Sequence, residues 1–147
     1  MSSHRDRKQK RENGINTFHG YLDDKALNPI KNGADLLLAS NVFAHADDLK
    51  SMAESMKKLI KPEGIIVIEV QYLLNTIKDL TFDNIYHEHT NYWSLSTLNK
   101  FLKSLDLTIF KVETINTHGG SIRVYVCQNE SVSIDNSVNE LLKEEYM

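Results

Sequence analysis

A chain of 147 residues is the size of one domain, and 41% hydrophobic residues is enough to build a buried core. The net charge of -3 gives no general reason to expect nucleic acid or an anionic membrane as partner. The lone Cys127 excludes an internal disulfide and a cysteine zinc site and fits a reducing, cytoplasmic setting, no apolar run approaches the roughly 18 residues of a membrane span, and the basic N-terminus lacks the apolar region of a signal peptide.

In chain order, residues 2–13 are polar and helix-compatible, and Arg5, Arg7, Lys8, Lys10 and Arg11 read as a solvated helix face. Gly14 breaks the pattern. Residues 15–20 suggest a short strand, and 22–30 a short helix or turn closed by Pro29 and Asn32-Gly33. The run 35–39, Asp-Leu-Leu-Leu-Ala, has the continuous apolar character of a strand buried on both faces. Residues 47–60 give the clearest helix: Leu49, Met52, Ala53, Met56, Leu59 and Ile60 form one stripe. Asp47 and Asp48 suit its N-terminal end; Lys57, Lys58 and Lys61 suit its C-terminal end.

Lys61-Pro62-Glu63-Gly64 stops the helix and turns the chain into a second buried strand, 65–70. Glu69 is out of character there, since a buried carboxylate needs a partner. Periodicity is lost between 80 and 94. A helix over 96–105 follows, with Leu98, Phe101, Leu102 and Leu105 on one face. Strands 107–114 and 121–127 are joined through His118-Gly119-Gly120, which reads most simply as a tight turn. After a polar stretch at 131–136, residues 137–147 start an amphipathic helix with nothing downstream to pack on.

Strands alternating with helices imply a mostly parallel α/β sheet with helices on both faces, and the closing hairpin adds an antiparallel strand. Ligands in such sheets bind beyond the carboxyl ends of the strands. His45 and Asn41 fall at one such end, and each could equally cap or pack there. The segment Tyr86-His87-Glu88-His89 puts a phenol, a carboxylate and two imidazoles side by side. It reads as an acid/base site, as a metal site with His45 or His118 as third ligand, or as polar loop residues in ordinary hydrogen bonds. The glycines, at 14, 20, 33, 64, 119 and 120, form no Gly-x-Gly turn of the nucleotide-binding kind.

Five stretches in order resemble the nucleotide-deoxysugar C-methyltransferases, within the class I S-adenosylmethionine-dependent methyltransferases. They are Ala39-Ser40-Asn41-Val42-Phe43-Ala44-His45, Ile68-Glu69-Val70-Gln71-Tyr72, Phe82-Asp83-Asn84-Ile85 with Tyr86 to His89, Tyr92-Trp93-Ser94, and His118-Gly119-Gly120-Ser121-Ile122-Arg123. The resemblance implies the later strands of a Rossmann-like sheet, S-adenosylmethionine as cofactor, and methylation of a carbon beside the keto group of a nucleotide-linked 4-keto-deoxysugar. It implies His89 as general base, with Tyr86, Glu88 and His45 in the same pocket and no metal. It places Asn41 toward the methyl donor and Tyr92, His118 and Arg123 toward the substrate. Family members also carry an N-terminal zinc domain, a glycine-rich donor loop and a C-terminal domain. The expectation is therefore an internal portion of such an enzyme: residues 1–128 a partial methyltransferase domain, and 129–147 a linker and the start of a truncated C-terminal domain. A separate chain supplying the N-terminal part, and self-association through an unpaired sheet edge, follow as expected partners. The alternative is a catalytically inactive remnant or interaction module of the same fold.

Overall fold

The computed structural model describes residues 14, 22, 30, 32–80, 90–117, 119–128 and 132–146. The strand expected at 15–20 and the helix expected at 2–13 lie outside them. Within them the chain runs β1 (Ala34–Ser40), a single 3-10 turn (Phe43–His45), α1 (Leu49–Leu59) and β2 (Ile60–Gln71). It continues through α2 (Leu73–Lys78), α3 (Leu95–Lys103), β3 (Thr108–Ile115), β4 (Ser121–Cys127) and α4 (Asn136–Glu145). No helix among the described residues is long and apolar enough to cross a membrane.

Three of the described helices, α1, α3 and α4, open on a capping side chain. The Asp48 carboxylate accepts from the Ser51 amide at 3.0 Å and opens α1. Ser94 and Thr97 form a reciprocal capping box at α3. Asp135 accepts from the Ser137 amide at 2.9 Å and opens α4. Lys57, in the last turn of α1, reaches the Leu105 carbonyl at 2.8 Å and ties α1 to the end of α3.

The sheet order is β1-β2-β4-β3. β1 and β2 are parallel, and β4 is antiparallel to both β2 and β3. β1, β2 and β3 therefore run one way, and the last strand returns between β2 and β3. This is the expected arrangement of mostly parallel strands closed by an antiparallel hairpin.

Lys61-Pro62-Glu63-Gly64 does not end β2's pairing. Ala34 faces Ile60 and Leu36 faces Ile65, so the four residues between bulge out of the ladder. Gly64 is required there: a Cβ would lie 2.6 Å from Ile60 Cγ1 and 2.8 Å from the Ala34 carbonyl oxygen.

One sheet face is dry. Ile66, Ile68 and Val70 of β2 lie opposite Val126, Val124 and Ile122 of β4, and all six are buried. They form one core with Ala53 and Met56 of α1, Leu95, Leu98 and Leu102 of α3, and Val138 and Leu141 of α4. The alternation of strands and helices implies helices on both faces, but those among the described residues pack on this face. The other carries Leu36, Leu38, Val67, Glu69, Arg123 and Tyr125 and is only part-buried. The run 35–39 is accordingly not buried on both faces. β1 is an edge strand among the described residues, and Leu36 and Leu38 are 55% and 67% exposed. The final amphipathic helix does find a surface: α4 folds back on the core.

Candidate functional site

The carboxyl ends of β1, β2 and β3 share one edge of the sheet, and several chemically active residues meet there. β1 stops at Ser40, opposite Glu69. Asn41 follows with φ 53, a left-handed conformation that asparagine tolerates better than most side chains. Its backbone N–H donates to the Glu69 carbonyl at 3.0 Å.

The 3-10 turn bearing His45 is anchored from below. Phe43 is fully buried and packs against Trp93 and Phe101, with ring centroids 5.8 and 6.1 Å away. His45 itself is exposed on the edge. The Asn91 amide donates to the Ala46 carbonyl at 3.4 Å, which brings the segment carrying the half-buried Tyr92 alongside that turn.

Glu69 is the hub. Its residue is 7% exposed. Arg123 Nη2 donates to Glu69 Oε2 at 3.0 Å, across the directly paired strands. Thr117 Oγ1 and Asn41 Nδ2 approach Oε1 at 3.4 and 3.5 Å. The row continues onto β3, where Glu113 faces Arg123. Glu113 accepts from Tyr125 Oη at 2.8 Å and pairs with Lys111 at 2.7 Å. Those two hydrogen bonds, Lys111 first, hold its carboxyl below the usual range. The bond to Glu69 likewise raises the Arg123 pKa, so that side chain is a fixed cation.

The β3–β4 turn reaches the same edge. Gly119 and Gly120 have φ 75 and 101, and Gly120 donates to the Thr117 carbonyl at 2.9 Å. A Cβ on Gly120 would sit 2.1 Å from Asn75 Nδ2 of α2. The glycine pair is thus a turn pressed against α2.

The segment between β2 and α3 leaves and rejoins this edge at one point. Tyr72 and Trp93 form a parallel bridge, and the Leu73 amide donates to the Trp93 carbonyl at 2.9 Å. Glu145 of α4 clamps both stems. Its carboxylate accepts from Tyr72 Oη and Ser96 N, each at 2.9 Å, and from Leu95 N. Burial, then the bond to Glu145, raises the Tyr72 phenol far above its ordinary pKa.

Of the residues singled out in the sequence, Asn41 and Arg123 are joined through Glu69, and His45 and Tyr92 lie along the same edge. Tyr86, Glu88, His89 and His118 lie outside the described residues. Thr117 escapes the sequence reading, although its place beside His118-Gly119-Gly120 is a signal. The Tyr72–Glu145 bond spans 73 residues, and no local pattern announces it.

The fold is that of the Rossmann-like methyltransferases. The model of the methyltransferase domain family matches residues 3–112, and the chain belongs to that family, which uses S-adenosylmethionine. It is 34% identical over 113 residues to the C-methyltransferase NovU of Streptomyces niveus, covering 76% of this chain and 27% of NovU. The chain thus spans about a quarter of that relative's length. A solved S-adenosylmethionine-dependent methyltransferase of Thermotoga maritima, a possible histamine N-methyltransferase, shares the fold with a TM-score of 0.65 at 14% identity. That match covers 86% of this chain and 70% of that one. The O-methyltransferase NcsB1 of neocarzinostatin biosynthesis, solved with S-adenosylmethionine and 2-hydroxy-5-methyl naphthoic acid, gives 0.60 at 14% identity. Its match covers 83% of this chain and 37% of NcsB1.

The residues present fit S-adenosylmethionine on one flank. The half-buried Asn41 and the 47% exposed Val42 set a hydrogen-bonding amide beside an apolar surface at the carboxyl end of β1. A Gly-x-Gly turn is not among the chain's glycines.

Proposed function

We propose that this chain forms part of an S-adenosylmethionine-dependent C-methyltransferase, acting at a carbon beside the keto group of a nucleotide-linked 4-keto-deoxysugar. The observation that carries the reading is the convergence of Asn41, Glu69, Thr117 and Arg123 on one sheet edge, beside the Tyr72–Trp93 bridge. NovU's name as a C-methyltransferase supports carbon as the acceptor.

The residue roles follow from the chemistry. A carbon beside a ketone is acidified because its anion is an enolate. A neutral imidazole, His89, removes that proton near neutral pH, with Glu88 orienting it. Tyr86 or His45 donates to the enolate oxygen. Tyr92, His118 and Arg123 hold the nucleotide-linked sugar. Asn41 and Val42 hold the methyl donor, which when bound supplies an electrophilic methyl group. The lone thiol supports a cytoplasmic setting.

A Gly-x-Gly strand, which these 147 residues do not contain, would complete the donor site. The exposed Leu36 and Leu38 on the β1 edge support such pairing, or pairing with a second copy. Residues 1–128 then form the methyltransferase part, and α4 beyond them completes its core through Val138 and Leu141.

Calorimetric titration with S-adenosylhomocysteine tests the donor reading, with micromolar binding expected. Methyl transfer to nucleotide-linked keto-sugars, lost in His89→Ala, tests the mechanism. No binding at millimolar ligand overturns the donor reading for this chain and favours an inactive remnant or a partner-dependent half.

A further inference from the structure

Among the described residues, every polar side-chain group that Glu69 meets is a donor or a cation: Arg123 Nη2 at 3.0 Å, Thr117 Oγ1 at 3.4 Å and Asn41 Nδ2 at 3.5 Å. Facing a guanidinium, its carboxylate can only accept. That constrains the Asn41 amide. Its nitrogen must turn toward Glu69, so its oxygen turns away. The main chain is fixed independently by the 3.0 Å bond from Asn41 N to the Glu69 carbonyl. Asn41 is therefore tethered to one residue through both backbone and side chain. The side-chain contact is long, and the backbone bond and the carboxylate's charge set its direction.

Stability is a weak explanation for this arrangement, because the Arg123 side chain is 38% exposed and an ion pair open to solvent on one side is worth little. What it determines is polarity. We infer that Glu69 is a positioning residue, which holds the Asn41 amide so that Oδ1 faces the ligand as a hydrogen-bond acceptor. The matching ligand group carries an O–H or N–H, as the hydroxyls and amino groups of the methyl donor do. The inference rests on the proposed reading of Asn41 as donor-binding.

It predicts the effect of an isosteric change. In Glu69→Gln, the new amide oxygen serves Arg123 and the new NH2 faces Asn41. Asn41 must then flip to accept from it, and its own NH2 turns toward the ligand. The hydrogen bonds are conserved, but the polarity shown to the ligand is inverted. The reciprocal pair Asn41→Asp with Glu69→Gln restores an outward acceptor. A carboxylate at position 41 has two oxygens, one to accept from the new amide on the sheet and one to accept from the ligand.

Two measurements decide it. In calorimetry, Glu69→Gln should weaken S-adenosylhomocysteine binding about tenfold, the worth of one hydrogen bond of about 1.4 kcal/mol. The double variant should recover most of that loss. Equal affinity in wild type and Glu69→Gln, or losses that simply add in the double variant, would overturn the inference. NMR of the wild-type chain without ligand gives the second readout and requires no variant to fold. The Asn41 side-chain NH2 protons should show cross-peaks to the Glu69 side chain; their absence overturns the inference. If wild type binds no S-adenosylhomocysteine, the donor reading fails, and the amide orientation is decided by these cross-peaks alone.

Discussion

The two faces of the sheet are made from the same strands and do different work. On one, Ile66, Ile68, Val70, Ile122, Val124 and Val126 are each no more than 1% exposed and meet α1, α3 and α4. On the other, the directly opposed Glu69, Arg123 and Glu113 form a polar row beside Val67, Tyr125 and the exposed leucines of β1. Apolar burial supplies stability in proportion to area and is indifferent to direction. Hydrogen bonds add less energy but fix orientation. The dry face therefore holds the fold, and the polar row fixes the groups at the carboxyl edge.

The largest expected effects lie on the dry face. Ile68→Ala removes buried volume opposite Val124 and should cost about 2–5 kcal/mol, measured by denaturant unfolding. Val67→Ala, one residue away on the half-buried face, should cost less than half as much. Equal losses would break the comparison. Next comes Gly64→Ala. The added Cβ meets the Ala34 carbonyl oxygen, which is backbone and cannot move aside cheaply, so a loss of about 1–3 kcal/mol is expected in the same assay.

The dry face is legible in the sequence because it depends on local periodicity. The stripe Leu49–Met52–Ala53–Met56 and the alternation at 121–127 each announce one buried side. The open face is not, because an apolar run such as 35–39 looks the same whether its second side is covered or bare. Strand pairing likewise hides from local reading: Lys61-Pro62-Glu63-Gly64 has turn chemistry, yet β2 resumes its partner beyond it. At the site, residue type and position single out Asn41 and His45, the family resemblance adds Arg123, and the cost of burying a carboxylate singles out Glu69. Thr117, and the clamp from Glu145 to Tyr72, require the three-dimensional arrangement.

That clamp joins α4, on the dry side, to the stems at the carboxyl edge. Glu145→Ala leaves the Leu95 and Ser96 amides and the Tyr72 hydroxyl without their acceptor, and a loss of about 1–2 kcal/mol is expected. Alkaline pH probes the same bond. The Tyr72 pKa is raised by folding, so its contribution is intact below the unfolded tyrosine value of about 10 and is lost as pH rises above it. Stability should therefore fall above about pH 10 in wild type and fall less in Tyr72→Phe. Parallel profiles would show that the phenol is not held by burial and Glu145.

The smallest expected effect tests the open face directly. Leu38 is 67% exposed on a strand that is an edge among the described residues, so Leu38→Lys removes little buried surface and should change stability by less than about 0.5 kcal/mol. Its effect on association should be larger, since a lysine on an edge strand discourages pairing with another strand. Sedimentation velocity should show concentration-dependent assembly of wild type and a monomer for Leu38→Lys. A loss of stability comparable to Ile68→Ala would mean that the side chain is covered in the folded chain. Unchanged assembly would place the contact elsewhere, on a surface that the β1 edge does not control.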